Sequence, residues 1–124
     1  MNNKKLGTEF EQEFCELLSQ HGFWVHFCTP SPSGAQPCDV IATKKGQPYL
    51  IDCKTSARKT FNISRMEDNQ IFAFYKWGKC GNSNRFVAVK YNDNVYMIPF
   101  ELLEKKEKVV LTDEFLFEKQ IDNN

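Results

Sequence analysis

Two short apolar runs, close together in the chain, each carry a carboxylate, and this pairing limits the fold more than any other feature. Residues 38–43 (CDVIAT) place Asp39 beside Val40 and Ile41, and residues 48–55 (PYLIDCKT) place Asp52 beside Leu50 and Ile51. An unpaired charge buried in such surroundings is costly, so something must compensate it. The runs are joined by Lys44-Lys45-Gly46-Gln47, a spacing that predicts a β-hairpin. Pairing of the two strands brings Asp39 and Asp52 together, and two oxygen donors suit a hard divalent cation such as magnesium or manganese. The two-residue strand period puts Lys54 on the face of Asp52 and turns the Cys53 side chain to the other face.

Other segments build a mixed architecture around this hairpin. Over residues 6–21 the apolar positions Leu6, Phe10, Phe14, Leu17 and Leu18 recur at three- and four-residue steps, which predicts an amphipathic helix ended by Gly22. Residues 23–28 (FWVHFC) read as a strand, and residues 29–37 (TPSPSGAQP) as a long turn-rich loop. After the polar stretch 56–60, a second helix is expected over residues 64–77, with acids suited to its start. Residues 85–91 and 95–100, joined by Asn92-Asp93-Asn94, read as another hairpin, followed by a short helix (ELLEKK) and a poorly defined tail. The order predicts an α/β or α+β domain with a central mixed sheet flanked by helices. One domain over residues 1–124 is expected, with a core at 6–103 and a C-terminal extension at 104–124.

Composition narrows the class. The chain is 41% hydrophobic and 26% charged, typical of globular proteins and unlike disordered ones. No stretch approaches the roughly 20 apolar residues of a membrane span, and the start lacks a signal-like apolar core, so a cytosolic protein with no membrane partner is expected. Five cysteines without a CxxC pair fit neither a closed disulfide framework nor a common zinc site, and read as reduced, mostly buried thiols. Sixteen basic and 16 acidic residues cancel overall. Between residues 44 and 90, however, ten basic residues face three acidic ones, while from Glu101 onward the count is four to seven. A locally basic face is therefore compatible with a nucleic-acid partner.

Two acids and a lysine on one face suit phosphodiester hydrolysis. A cation can acidify water and polarise the phosphoryl oxygen, while an ammonium orients the nucleophile or neutralises developing charge. An isolated D-x-K tripeptide is more often a solvated salt bridge. Here Pro37-Cys38-Asp39 is followed by Ile51-Asp52-Cys53-Lys54, with Asp52 thirteen positions after Asp39.

In this arrangement the chain resembles the PD-(D/E)xK nuclease superfamily. Over residues 6–103 it is similar to archaeal Holliday junction resolvases and, secondarily, to bacterial recombination protein U resolvases. The resemblance implies a restriction-endonuclease-like fold and a metal-dependent endonuclease, a homodimer selective for branched or four-way DNA, with Mg2+ or Mn2+ as cofactor. It implies that Asp39, Asp52 and Lys54 are catalytic, and that Glu11, four residues after Gly7, completes the metal site. Gln70, in Asn69-Gln70-Ile71, matches a glutamine near the family's active site. The Cys53 carbonyl is a further ligand candidate. Ser31, Ser33 and Gly34 loosely match a DNA-contacting loop, and Lys4, Lys5, Arg58, Lys59 and Arg65 are the other DNA-binding nominees. Two departures stand in the motif: Cys38 separates Pro37 from Asp39, and the second acid is an aspartate where glutamate is commoner.

Independently of the resemblance, Glu11 lies about 100° from Phe10 around the helix, at the border of its buried stripe. His21 and His26 lack partners in the sequence and read as structural or surface residues. The Phe72, Phe74, Tyr75 and Trp77 cluster exceeds what one helix face can bury, which agrees with a dimer. The small size, by analogy, points to a stand-alone protein of a phage or mobile element, acting in the host cytosol. Two other readings stay open: a nuclease of this fold acting on linear, flap or single-stranded DNA, and a catalytically weak DNA-binding or protein-interaction module.

Overall fold

The computed structural model describes residues 3–28 and 39–122, with side chains from Thr8 to Cys28 and from Asp39 to Ile121. Helix α1 (Asn3–Gln20) leads into β1 (Trp24–Phe27), and β2 (Val40–Lys44) and β3 (Gln47–Thr55) form the expected hairpin. Its turn places Lys45 and Gly46 both at positive φ, 52° and 78°, the geometry that lets a two-residue turn follow the strand twist. Then come β4 (Thr60–Asn62), α2 (Asp68–Lys79), β5 (Asn84–Tyr91), β6 (Asn94–Pro99), α3 (Phe100–Lys106), β7 (Lys108–Val110) and α4 (Phe117–Asp122).

The main sheet runs β1-β2-β3-β5-β6, and β4 pairs with β7 in a separate two-stranded ribbon. Only β3 and β5 are parallel, joined by the crossover through β4 and α2; the other neighbours in the sheet are antiparallel. Strand β3 is therefore central and covered on both faces, which explains its nearly continuous apolar character. Ile51 and Cys53 face one core with Phe10, Phe14 and Leu18 of α1 and Phe117 and Ile121 of α4. Leu50 faces the other with Phe74 of α2, Phe100 and Leu103 of α3, and Phe61 of β4. This is the central mixed sheet flanked by helices that the sequence predicts.

Three expectations need correction. Residues 104–121 are not an undefined extension: Val109, Leu111, Phe115, Phe117 and Ile121 are buried in the two cores. Its elements are short and lack a clear period, so their apolar residues gave no pattern to read. The second helix starts at Asp68 rather than residue 64, because Ser64 lies in a 3-10 turn (Ile63–Arg65), and Glu67 and Gln70 close the helix start. Of the described cysteines, none of which forms a disulfide, only Cys53 is buried; Cys15 and Cys28 are half-buried and Cys80 is exposed. Cys80 is the residue that caps the C-terminus of α2. Cys38 lies outside the described residues.

Candidate active site

The register of β2 against β3 pairs Val40 with Ile51, so Asp39, one residue earlier, falls opposite Asp52 at the end of the ladder. Both are buried, Asp52 to 1% exposure. Asp39 is anchored: its Oδ2 accepts the Cys53 backbone N–H at 2.7 Å. Asp52 Oδ1 accepts a hydrogen bond from Gln70 Nε2 at 3.1 Å. Its Oδ2 has the Lys54 ammonium at 3.4 Å, yet it has no hydrogen-bond partner. The Asp39 carboxyl lies within hydrogen-bonding reach of the Asp52 carboxyl, a contact that closes only when one of the two carries a proton. Burial foremost, and then Asp39, push the Asp52 carboxyl well above its usual range, while Lys54 opposes the shift.

Gln70 ties the site to the second helix. Its Oε1 accepts from both the Lys54 ammonium (3.1 Å) and the Glu67 backbone N–H (2.9 Å), while its Nε2 serves Asp52. One amide thus closes the N-terminus of α2 and orients an acid and a lysine of β3.

Glu11 reaches the same charge cluster from α1. It is half-buried, and its carboxyl is raised to about 7, first by desolvation and second by the Asp39 charge, against the pull of Lys54. The sequence-derived set Glu11, Asp39, Asp52, Lys54 and Gln70 therefore converges from α1, β2, β3 and α2. No group of three acid, histidine or cysteine side chains among the described residues already forms a closed cation cage. The donor chemistry nevertheless fits a hard divalent cation: two adjacent carboxylates repel one another, and a buried oxygen of one lacks a hydrogen bond.

Known proteins share this framework. A solved structure from Archaeoglobus fulgidus, Hjc, a Holliday junction resolvase, superposes with a TM-score of 0.69, covering 93% of this chain and 97% of its own at 18% identity, which shows a common fold. The sequence matches the family described as archaeal Holliday junction resolvase (Hjc) over residues 2–122. The chain belongs to the archaeal Holliday junction resolvase family. That family lies within the PD-(D/E)xK nuclease superfamily. The crossover junction endodeoxyribonuclease Hjc of Methanocaldococcus jannaschii is 29% identical over 108 residues, covering 87% of this chain and 76% of that protein. A crossover junction endodeoxyribonuclease of Sulfolobus islandicus rod-shaped virus 1 is 26% identical over 113 residues, covering 88% and 93%.

The remaining nominees of this resolvase-family chain separate by position. Arg58 and Arg65 line an open groove that begins at Cys53 and Lys54. Lys59 lies instead on a different depression, beside Asp113 and Glu114. Lys108 of β7 also lines the groove, and no local pattern marks it in a segment that reads as a tail. Ser31, Ser33 and Gly34 lie outside the described residues, as do the side chains of Lys4 and Lys5. His21 is structural: its Nδ1 is 2.9 Å from the Leu17 carbonyl and its ring meets Phe117 edge-on. No helix among the described residues is long and apolar enough to cross a membrane.

Proposed function

We propose that this chain is a homodimeric resolvase that cuts four-way DNA junctions, with magnesium or manganese held by Asp39, Asp52 and the Cys53 carbonyl and with Glu11 at the margin of that site. The observation that supports it best is the buried Asp39–Asp52 pair with an unbonded oxygen beside the Lys54 ammonium. When bound, the cation supplies Lewis-acid stabilisation of phosphoryl charge and lowers the pKa of a water. Asp39 is held by the Cys53 N–H, and Asp52 is held by Gln70. Lys54, steadied by Gln70 Oε1, offsets negative charge that grows on the phosphate as water attacks.

The dimer reading rests on α2. Phe74 is buried and Trp77 donates its indole N–H to the Asn84 carbonyl, but Phe72 and Tyr75 remain 60% and 52% exposed. A second copy packed on this face would cover both rings and bring two active sites to one junction.

Incubating purified protein with an end-labelled four-way junction, linear duplex, flap and single strand tests the activity. Paired cuts in the junction with magnesium or manganese are expected, with Asp52→Ala abolishing cleavage while binding persists. No junction cleavage with either ion sinks the reading, and preferential cutting of another substrate replaces it with a general nuclease. Sedimentation of the Phe72→Glu/Tyr75→Glu pair should show a monomer where the parent protein shows a dimer.

A further inference from the structure

Beyond the acid pair, β3 opens into a groove of about 960 Å³ whose wall combines Lys54, Arg58, Arg65 and Lys108 with hydroxyls such as Thr55 and Ser56. No acidic side chain is among its described lining residues, although the whole chain is neutral. We infer that this groove is a subsite for the phosphate backbone of one duplex arm next to the cleaved phosphate, with Arg58, Arg65 and Lys108 as its contacts. This rests on the resolvase reading above.

The backbone that carries these cations is fixed. The Ser56 hydroxyl donates to the Arg58 carbonyl at 2.7 Å and accepts the Arg58 N–H at 3.1 Å, which folds the loop after β3 into a fixed turn. The Arg65 guanidinium lies 5.5 Å from the ring centre of Phe61, a residue of the core. Lys108 arrives from the far end of the sequence: the β4–β7 ribbon pairs it with Asn62, and the Ile63 N–H donates to the Glu107 carbonyl at 2.8 Å. Glu107 itself turns through a left-handed conformation (φ 64°) to start that strand. The ribbon thus carries a basic residue to the same groove as the Arg58 loop.

An open, basic channel with several hydroxyls that starts at Lys54 suits a run of phosphates, and none of its described lining residues is an aromatic ring on which a base could stack. Its contacts would therefore strengthen binding to any duplex arm without reading sequence or branching. Lys59 is excluded, since it lies by Asp113 and Glu114 outside the groove.

The test uses full-length Arg58→Ala, Arg65→Ala, Lys108→Ala and Lys59→Ala proteins, with thermal unfolding confirming that each is folded. Fluorescence anisotropy in EDTA measures affinity for a labelled junction and a linear duplex across salt concentrations, and single-turnover cleavage gives rate against enzyme concentration. Each of the first three variants should lose about five- to tenfold in affinity near 0.1 M salt, equally on both DNAs, and flatten the log–log salt slope by about one. Half-maximal cleavage should need more protein, with the maximal rate held, and Lys59→Ala should match the parent. An unchanged slope in Arg65→Ala and Lys108→Ala, or a loss confined to the junction, overturns the subsite. Failure of the parent protein to cut the junction overturns the resolvase reading instead, so the two failures are distinct.

Discussion

Gln70 and Asp52, eighteen positions apart, are joined by a 3.1 Å hydrogen bond from Nε2 to Oδ1, and the same amide closes the start of α2 through the Glu67 N–H. Helix nucleation and acid orientation therefore share one side chain. Gln70→Ala should harm both. Loss of the cap and an orphaned buried carboxyl should cost about 1–3 kcal/mol in urea unfolding. Loss of orientation should lower cleavage by about 10–100-fold. Gln70→Glu separates the effects: its Oε can still accept from Glu67 and Lys54, but it cannot donate to Asp52 while ionised. Helix content near the parent's, a stability loss confined to the orphaned Asp52 carboxyl, and cleavage as poor as in Gln70→Ala are expected; full activity in Gln70→Glu would remove Gln70 from the site.

Asp52 should make the cation-free protein less stable as pH rises. Its folded carboxyl is raised above the ordinary value of 3.8, so the folded state holds the proton more tightly than the unfolded chain. The resulting stability is fully present below that ordinary value and is lost as pH rises through the raised one. Asp52→Asn escapes this loss, and its amide can donate where the carboxylate oxygen has no bond. Thermal unfolding in EDTA should therefore show the variant gaining on the parent between pH 5 and 8, by about 1 kcal/mol or a few degrees. Added magnesium or manganese should raise the melting temperature of the parent and leave Asp52→Asn nearly unmoved. A variant less stable than the parent throughout that range would contradict the strain assigned to Asp52.

The hairpin, both acids and Lys54 were legible because strand period and short spacing fix which side chains share a face. Glu11 could be placed only at the border of the α1 stripe; that it feels Asp39 and Lys54 depends on how α1 packs over β3, which no local pattern encodes. Gln70 was legible as a neighbour through the family resemblance, but its double role comes from the crossover that sets α2 against β3. Lys108 was invisible, since its position depends on β7 finding β4 across some forty-five intervening residues. The exposure of Phe72 and Tyr75 was foreseen as excess on one helix, whereas the burial of Phe74 on that helix follows from contact with Phe100 at 4.8 Å between rings.

Glu11 predicts a pH-dependent cation affinity. With its carboxyl raised from 4.5 to about 7, most molecules carry a proton there at pH 6, and cation binding must displace it. Calorimetry with manganese should show affinity rising from pH 6 to 8, with proton release that shrinks as pH climbs. Glu11→Gln should bind more weakly at pH 8 and lose part of that dependence, leaving the share contributed by Asp52. A Glu11→Gln profile that parallels the parent's would place Glu11 outside the cation site.

Phe117 decides whether the last residues belong to the core. Its ring is fully buried, packed edge-on against Phe14 at 5.9 Å and His21 at 4.9 Å, and so it locks α4 onto the helix that carries Glu11. Removing it leaves a cavity between α1 and the sheet, so Phe117→Ala should cost about 3–5 kcal/mol in denaturant unfolding. The groove and the acid pair lie elsewhere, on β3, at the start of β2 and on the β4–β7 ribbon, so DNA affinity measured well below the variant's melting temperature should change little. Cleavage should fall further than affinity, because a loosened α1 displaces Glu11 while Asp39 and Asp52 stay fixed by the hairpin. A variant as stable as the parent would mean that residues 104–124 are a dispensable extension after all.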